Sequence, residues 1–359
     1  MNKPKVLMAM SGGVDSSVSA ALLVEQGFDV IGAYMHNWTG CESDNDRRDA
    51  TRVAAQLGID LLTFDFESEY RRNVFEYMVQ EYKAGRTPNP DVLCNKYMKF
   101  GFLLREAEKL GCSMIATGHY ARVRRNDDGT AHLLAGRDAG KDQSYFLCQL
   151  TQGQLKRVMF PIGDMEKSDV RVKARELNIV VADKKDSQGL CFVGKIELSE
   201  FLKTSIPPRE GNIVDIEGRV LGTHKGHAYY TIGQRQGLGI GGGDPYFVVE
   251  RRPDTDEVVV AHEDDPKLYS SEIIVTDLTE TVPGNLNTYF NKPIQARIRY
   301  RQPLQGCVVK REHPVASSQH PIAQAKVTFD KPQRAVAPGQ FVAFYVDDEL
   351  VGSGVIASA

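Results

Sequence analysis

The chain has 359 residues, a quarter of them charged, with 44 Lys and Arg against 47 Asp and Glu and a formal net charge of −3. That balance excludes a protein that coats nucleic acid indiscriminately, because such binding rests on a large excess of cations. RNA contacted through local basic patches remains open, and Arg122-Val123-Arg124-Arg125 and Arg297-Ile298-Arg299-Tyr300-Arg301 are patches of that kind, though each taken singly reads first as the solvated face of a strand or hairpin.

The length predicts two or three domains. No apolar run reaches spanning length, and Met1-Asn2-Lys3-Pro4-Lys5 leads straight into a predicted strand, so a cytoplasmic protein without membrane contact is expected. The six cysteines, Cys41, Cys94, Cys112, Cys148, Cys191 and Cys307, show no C-x-x-C pairing. Neither a zinc site nor a secreted disulfide framework is indicated, and any disulfide is expected to be transient or catalytic.

In chain order, strand-like runs at Lys5–Met10, Val30–Met35, Leu61–Phe64 and Met114–Thr117 alternate with helical stretches around Asp46–Leu57, Tyr70–Lys83 and Asn95–Leu110. Alternation of this kind predicts an α/β domain with a doubly wound parallel sheet and a ligand at the carboxyl ends of the strands. Arg122–Arg125 and His132–Leu134, joined through Asp128-Gly129, read as a hairpin leaving that sheet. Asp142–Leu150 and Ser168–Leu177 read as helices, the second capped by Ser168, and helical Leu198–Lys203 closes a first domain of residues 1–206. Pro207-Pro208-Arg209-Glu210-Gly211 reads as a linker. Residues 207–270 then form a small, glycine-rich, β-rich central domain, and 271–359, with strands such as Ile294–Tyr300, Ala325–Phe329 and Phe341–Val346, a C-terminal β-barrel or sandwich.

The first strand runs into Ala9-Met10-Ser11-Gly12-Gly13-Val14-Asp15-Ser16-Ser17, after which Val14, Val18, Ala21 and Leu22 recur at helical spacing. Glycines at the turn let the backbone approach a ligand, and the helix start offers unpaired N–H groups and partial positive charge, the requirements of a phosphate site. The lysine of the commonest phosphate loop does not follow. Ser-Gly-Gly-x-Asp-Ser-Ser instead resembles the pyrophosphate (PP) loop of ATP-pyrophosphatases, enzymes that split ATP between its α- and β-phosphates and leave AMP on a carbonyl oxygen. Tyr34-Met35-His36 and Thr117-Gly118-His119-Tyr120, at two further strand ends, are placed to hold the adenosine half.

Cys94 precedes an apolar helical pattern, so the expected position is a helix's first turn, where the dipole favours thiolate; a small buried packing residue is the alternative. Asp91 reads equally as an acid/base group or as the helix N-cap. Cys191 falls at the edge of a polar loop. Cys41, Cys112, Cys148 and Cys307 read as packing or surface residues, and His224 and His227 as strand or loop residues rather than ligands.

Seven segments together resemble one family along the whole chain, the bacterial tRNA-specific 2-thiouridylases: Ser11–Ser17, Asn89–Asn95, Thr117–Tyr120, Lys141–Tyr145, Asp186–Phe192, Gly233–Gly239 and Pro338-Gly339-Gln340. The resemblance implies an adenine nucleotide α-hydrolase-like domain, a small central domain and a C-terminal β-barrel. It implies replacement of the 2-oxygen of a tRNA wobble uridine by sulfur, with ATP bound by Ala9, Met10, Ser11, Gly12, Gly13, Val14, Asp15, Ser16, Met35 and Gly118. By the same resemblance Cys191 receives sulfur as a persulfide from a carrier protein, and Cys94 is the partner thiol. Asn89, Pro90 and Asp91 meet the target base, and His119, Lys141, Asp142, Gln143, Tyr300, Arg301 and Gln340 contact tRNA. Magnesium is expected only with ATP, with no tightly bound metal, and the enzyme is expected to act as a monomer. An amidating synthetase of the same superfamily would bring an amidase domain, which the sequence lacks. A non-catalytic tRNA-binding protein would have no use for Cys94 and Cys191.

Overall fold

The structure is a computed structural model that describes residues 3–38, 43–185, 202–203, 205–241, 243–312 and 324–359. Cys41, Cys191, the Asp186–Phe192 motif and most of the expected Leu198–Lys203 helix lie outside the described residues. Among the described residues, no helix is long and apolar enough to cross a membrane.

The first apolar run forms β1 (Lys5–Ala9), followed by β2 (Asp29–His36), β3 (Leu61–Asp65) and β4 (Met114–Ala116). The hairpin β5 (Ala121–Arg125) and β6 (Ala131–Ala135) comes next, then β7 (Val158–Met159). Five of these strands make one parallel sheet in the order β3-β2-β1-β4-β7. Val6, Leu7 and Met8 have no exposed surface, as expected for a strand covered on both faces. Alternation sends Leu7 into one core, against the helical stretches of residues 67–83 and 90–109. It sends Val6 and Met8 into the other, against α1 (Val14–Glu25), α2 (Ser43–Leu57) and the helix Lys167–Glu176. Strand order reverses between β1 and β4, so the loops leaving these two strands flank the crevice where open α/β sheets bind ligands.

Three local expectations shift. The N-cap expected at Ser168 falls two residues earlier, at Glu166, where the Lys167 N–H donates to the Asp138 carboxylate at 2.9 Å and a distant loop supplies the capping acceptor. The helix expected over Asp142–Leu150 shrinks to one 3₁₀ turn, Ser144–Leu147. Its backbone is claimed from outside, since the Cys148 carbonyl accepts from Ser353 Oγ at 2.6 Å. The helix expected at Asn95 begins at Pro90, with Asn89 as N-cap accepting from the Val92 N–H at 3.2 Å. Asp91 is therefore not the cap, and Cys94 sits one turn inside, at the head of a π-helical run Cys94–Leu103. Asn-Pro at N-cap and first helical position is a start signal readable in the sequence.

The central domain holds β8 (Gly211–Val214), β9 (Val220–His224), β10 (Phe247–Arg252) and β11 (Glu257–Ala261) in the order β10-β11-β8-β9. The C-terminal strands are β12 (Tyr269–Glu280), β13 (Pro293–Arg297), β14 (Gln305–Glu312), β15 (Gln324–Arg334), β16 (Phe341–Val346) and β17 (Glu349–Ser358). They run β12-β15-β14-β13-β16-β17, and pairing of β12 with β17 closes a six-stranded barrel around Ile273, Val275, Val309, Val327, Val342 and Phe344. The β5–β6 hairpin leaves the first sheet as expected and joins this barrel: β6 pairs with β17 through Leu134–Glu349 and Leu133–Leu350. Arg122 and Arg124 of the basic hairpin patch bond Asp348 at 2.6 Å and Glu349 at 2.9 Å, so that patch fastens two domains together.

Candidate active site

The Ser11–Ser17 loop turns at Gly12, whose φ of +72° and contact with the Asp46 carbonyl exclude a side chain; a Cβ there would stand 2.2 Å from that oxygen. Serine hydroxyls hold the turn from within. Ser16 Oγ accepts from the Ser11 N–H at 3.2 Å and donates to the Gly13 carbonyl at 3.1 Å, and Ser17 Oγ donates to the same carbonyl at 2.8 Å. Gly13 is the N-cap of α1 and offers no side-chain cap, which leaves first-turn N–H groups for an anion.

The loop has its cations after all, contributed by distant sequence. Lys167 Nζ pairs with the Asp15 carboxylate at 2.7 Å, and the Tyr120 hydroxyl donates to Asp15 at 2.8 Å. Lys184 Nζ donates to the Gly12 carbonyl at 3.0 Å and to Asp46 and Asp49 at 2.7 and 2.8 Å. Burial opposes the Lys184 charge, but its hydrogen bonds to Asp46 and Asp49 prevail and raise its pKa above the ordinary lysine value. Sequence reasoning missed both lysines. Lys167 carried one faint signal, a cation in a helix's first turn where the dipole disfavours it.

Gly118, leaving β4, lies directly on the start of α1: a Cβ would meet Ser16 N at 2.7 Å and the Asp15 carbonyl carbon at 2.8 Å. Beside it His119 is buried, bonded to Thr117 Oγ1 at 2.7 Å and 3.5 Å from Lys99 Nζ, with its ring edge-on to Phe160. Burial, and then the Lys99 charge, hold its pKa well below the usual histidine value, so the ring is neutral. Lys99 belongs to the run that begins at Cys94. Loop, β4 exit and Cys94 helix are thus in one connected set of contacts at the carboxyl edge of the sheet.

Met35 is buried at the end of β2 in the core cluster that also contains Cys94, itself 1% exposed. Asn89 and Pro90 are partly buried at the helix start, and Asp91 is on its first turn. Of the residues expected to face tRNA, several are inside. Asp142 is 4% exposed, accepts from the N–H groups of Gly136 and Ser144 at 2.9 and 3.0 Å, and pairs with Arg297 of the barrel at 3.1 Å. Arg297, from the second basic patch, is therefore a buried strut. Gln143 Oε1 accepts from the Tyr120 N–H, and Lys141 is half-buried. Tyr300 packs on Phe146 with ring centres 4.5 Å apart and carries Arg301, exposed and at a φ of +62°, over its ring. Gln340 turns toward Thr87, Pro88 and Asn89.

Cys112, Cys148 and Cys307 are buried, and burial pushes the Cys148 and Cys307 thiols up to about 12, which makes them inert packing groups. His224 bonds the Asp256 carbonyl at 3.0 Å and the Gly226 N–H at 2.9 Å, while His227 faces the Asp256 carboxylate at 3.1 Å. Among the described residues no group of three or more His, Cys, Asp or Glu side chains could hold a metal.

A parallel sheet with a glycine-serine anion cradle at its switch point defines a nucleotide-binding α/β domain of the HUP class, and family comparison agrees. Residues 4–195 match the tRNA methyl transferase HUP domain, 199–262 the tRNA methyl transferase PRC-barrel domain and 286–356 the aminomethyltransferase beta-barrel domain. Over its full length the chain is 45% identical to the tRNA-specific 2-thiouridylase MnmA of Streptococcus uberis, covering 96% of that protein. It is 47% identical to the MnmA of Bacillus pumilus, with 98% of this chain and 94% of that one aligned. The chain belongs to the tRNA-specific 2-thiouridylase family. Among solved structures, the U34-tRNA thiolase NcsA from Methanococcus maripaludis aligns over 57% of this chain and 67% of its own, at 19% identity and a TM-score of 0.37.

Proposed function

We propose that this protein is an ATP-dependent tRNA sulfurtransferase that converts a wobble uridine to 2-thiouridine, with AMP and pyrophosphate as by-products. The observation that carries the reading is the junction at Gly118, where the anion cradle, the β4 exit and, through His119 and Lys99, the Cys94 helix meet. The names of the relatives support thiolation over methyl transfer.

ATP is a substrate here, with its phosphates at the α1 N-terminus and its adenosine toward Met35 and Gly118. Magnesium would come with that substrate, held by phosphate oxygens and water, since both oxygens of Asp15, the carboxylate of the cradle, already accept from Lys167 or Tyr120. Held there, the ion would neutralise phosphate charge. Attack of the uracil 2-oxygen on the α-phosphorus forms the O–P bond, breaks the α–β bridge and leaves pyrophosphate among the first-turn N–H groups of α1.

The activated carbon is then attacked by the terminal sulfur of a Cys191 persulfide, and AMP departs with the former 2-oxygen. The Cys94 thiolate attacks the Cys191 sulfur, breaks the bond to the sulfur now on the base and leaves 2-thiouridine with a Cys94–Cys191 disulfide. An external dithiol reduces that disulfide and is itself oxidised. Asp91, on the first turn of the Cys94 helix, is the assigned acid/base group. Cys94 is 1% exposed, so this step also requires the site to open when tRNA binds. The base itself must leave its stack, a step worth a few kcal/mol in a single-stranded loop. A cytoplasmic monomer receiving sulfur from a persulfide-bearing carrier protein completes the reading.

The test supplies unmodified tRNA, ATP, magnesium and a persulfide donor, and measures 2-thiouridine by mass spectrometry. Wild type should form it, while Cys94→Ser and Cys191→Ser should form none over the same time. Undiminished thiolation by both variants would refute the relay.

A further inference from the structure

The stretch from Gly85 to Asn89 connects the helical residues 67–83 to the Cys94 helix, and two other domains grip it. From the central domain, Arg251 on β10 donates to Thr87 Oγ1 at 2.7 Å and to the Tyr230 carbonyl at 2.9 Å. From the barrel, the Pro338 carbonyl accepts from the Thr87 N–H at 2.7 Å. The Gln340 amide donates to the carbonyls of Thr87 and Pro88, both at 3.1 Å, and accepts from Asn89 Nδ2 at 3.1 Å. Both approaches are close enough to need glycine. A Cβ on Gly85 would stand 2.8 Å from Pro253 Cγ, and one on Gly339 would stand 3.0 Å from Thr87 N and O.

Arg251 is the telling member. It is 7% exposed, and among the described residues its partners are a hydroxyl and a carbonyl while its Nε has none. Burial pushes its pKa down to about 10, against a smaller opposing effect of Tyr82. A buried guanidinium without a carboxylate is unfavourable, and an apolar side chain of like volume would fill the space without that penalty. What the apolar side chain could not do is hold Thr87. Gln340 likewise spends its donor and acceptor inside the protein, so an RNA contact there would have to share or displace these bonds.

We infer that Arg251 and Gln340 are positioning residues of the thiolation site: they fix Thr87–Asn89, and through the Asn89 cap they set where Asp91 and Cys94 stand. The central domain and the barrel are then parts of the catalytic apparatus as well as a grip on RNA. This inference rests on the thiolation reading.

The experiment measures single-turnover 2-thiouridine formation at saturating tRNA and ATP for Arg251→Met, Thr87→Val and Gln340→Leu, with tRNA and ATP affinities and melting curves alongside. Each variant should be slower by about tenfold or more at saturation while affinities stay within about twofold, since displacement of a reacting group by an ångström suffices for such a loss. The Arg251→Met, Thr87→Val double variant should be no slower than the slower single one. Full rates at saturation, a loss confined to tRNA affinity, or multiplying effects in the double variant would overturn the inference. If Arg251→Met does not fold, Thr87→Val and Gln340→Leu decide by the same readings. A wild type that binds ATP and tRNA yet makes no 2-thiouridine overturns the functional reading and this inference with it, whereas an active wild type with unaffected variants overturns only the latter.

Discussion

The phosphate loop and the Thr87–Asn89 segment lie in the same domain but are held in opposite ways. The loop is built from its own serines and glycines and closed by Lys167, Lys184 and Gly118 of the same α/β domain. The segment makes few bonds within itself and is fixed by Arg251 of the central sheet and by Pro338 and Gln340 of the barrel. A phosphate is the same in every nucleotide, so a self-contained cradle serves. A base presented by a large folded RNA is better met by a segment whose position depends on the domains that touch that RNA. Nucleotide binding should therefore be a property of the first domain's own contacts, and thiolation a property of the assembled chain.

The contrast can be broken most sharply at Gly118. Gly118→Ala forces a methyl group against the backbone of Asp15 and Ser16, which has no rotamer by which to yield. Overpacking of 1–3 kcal/mol corresponds to as much as about a hundredfold loss of ATP affinity. Calorimetric titration checks this, with tRNA affinity as the internal reference that should change far less.

Lys184→Met leaves the Gly12 carbonyl and two carboxylates without their shared donor. The lysine is partly exposed and water can substitute, so the loss should be near the low end for such bonds, about 1 kcal/mol or fivefold in ATP affinity. The maximal thiolation rate at saturating ATP should stay near wild type, unlike that of Gln340→Leu.

His119 joins the two halves of the site and supplies a pH test. Its folded-state pKa lies below the unfolded value of about 6.5, so the folded chain binds fewer protons there. The associated stability is complete above that unfolded value and is lost as pH falls from it toward the folded pKa, with a slope of at most about 1.4 kcal/mol per pH unit. Melting temperature should fall between pH 7.5 and 5.5, and His119→Gln should flatten that dependence. Equal acid sensitivity in both proteins would remove His119 from the account.

The smallest effect is expected at the hairpin–barrel contact. Asp348→Asn removes a half-exposed ion pair with Arg122, worth roughly 0.2–1 kcal/mol. The shift in melting temperature should vanish in 1 M salt, where exposed charges are screened within about 3 Å.

Much of the α/β domain was legible because its signals are local. The Val6–Met10 run, the glycine-serine turn and the spacing of Val14, Val18 and Ala21 each declare an element within a dozen residues. β7 was not legible, since two residues make a strand only when β4 is beside them. The β5–β6 hairpin could be read from Asp128-Gly129, but its attachment to β17, more than 200 positions later, could not. The basic residues were least legible. Arg122, Arg124 and Arg297 read as surface, solvated or open to RNA, yet their charges are answered by Asp348, Glu349 and Asp142, carboxylates with no sequence relation to them.

By itself the sequence determined the elements, the anion cradle and the residue types at the site, because hydrophobic period, turn stereochemistry and helix starts act between near neighbours in the chain. Only the tertiary structure decided which charges pair, which cations close the cradle and what holds Thr87. Coulomb and hydrogen-bond partners are chosen by proximity in space, and a lysine 152 positions from Asp15 bears no mark of that pairing until the sheet brings it to 2.7 Å.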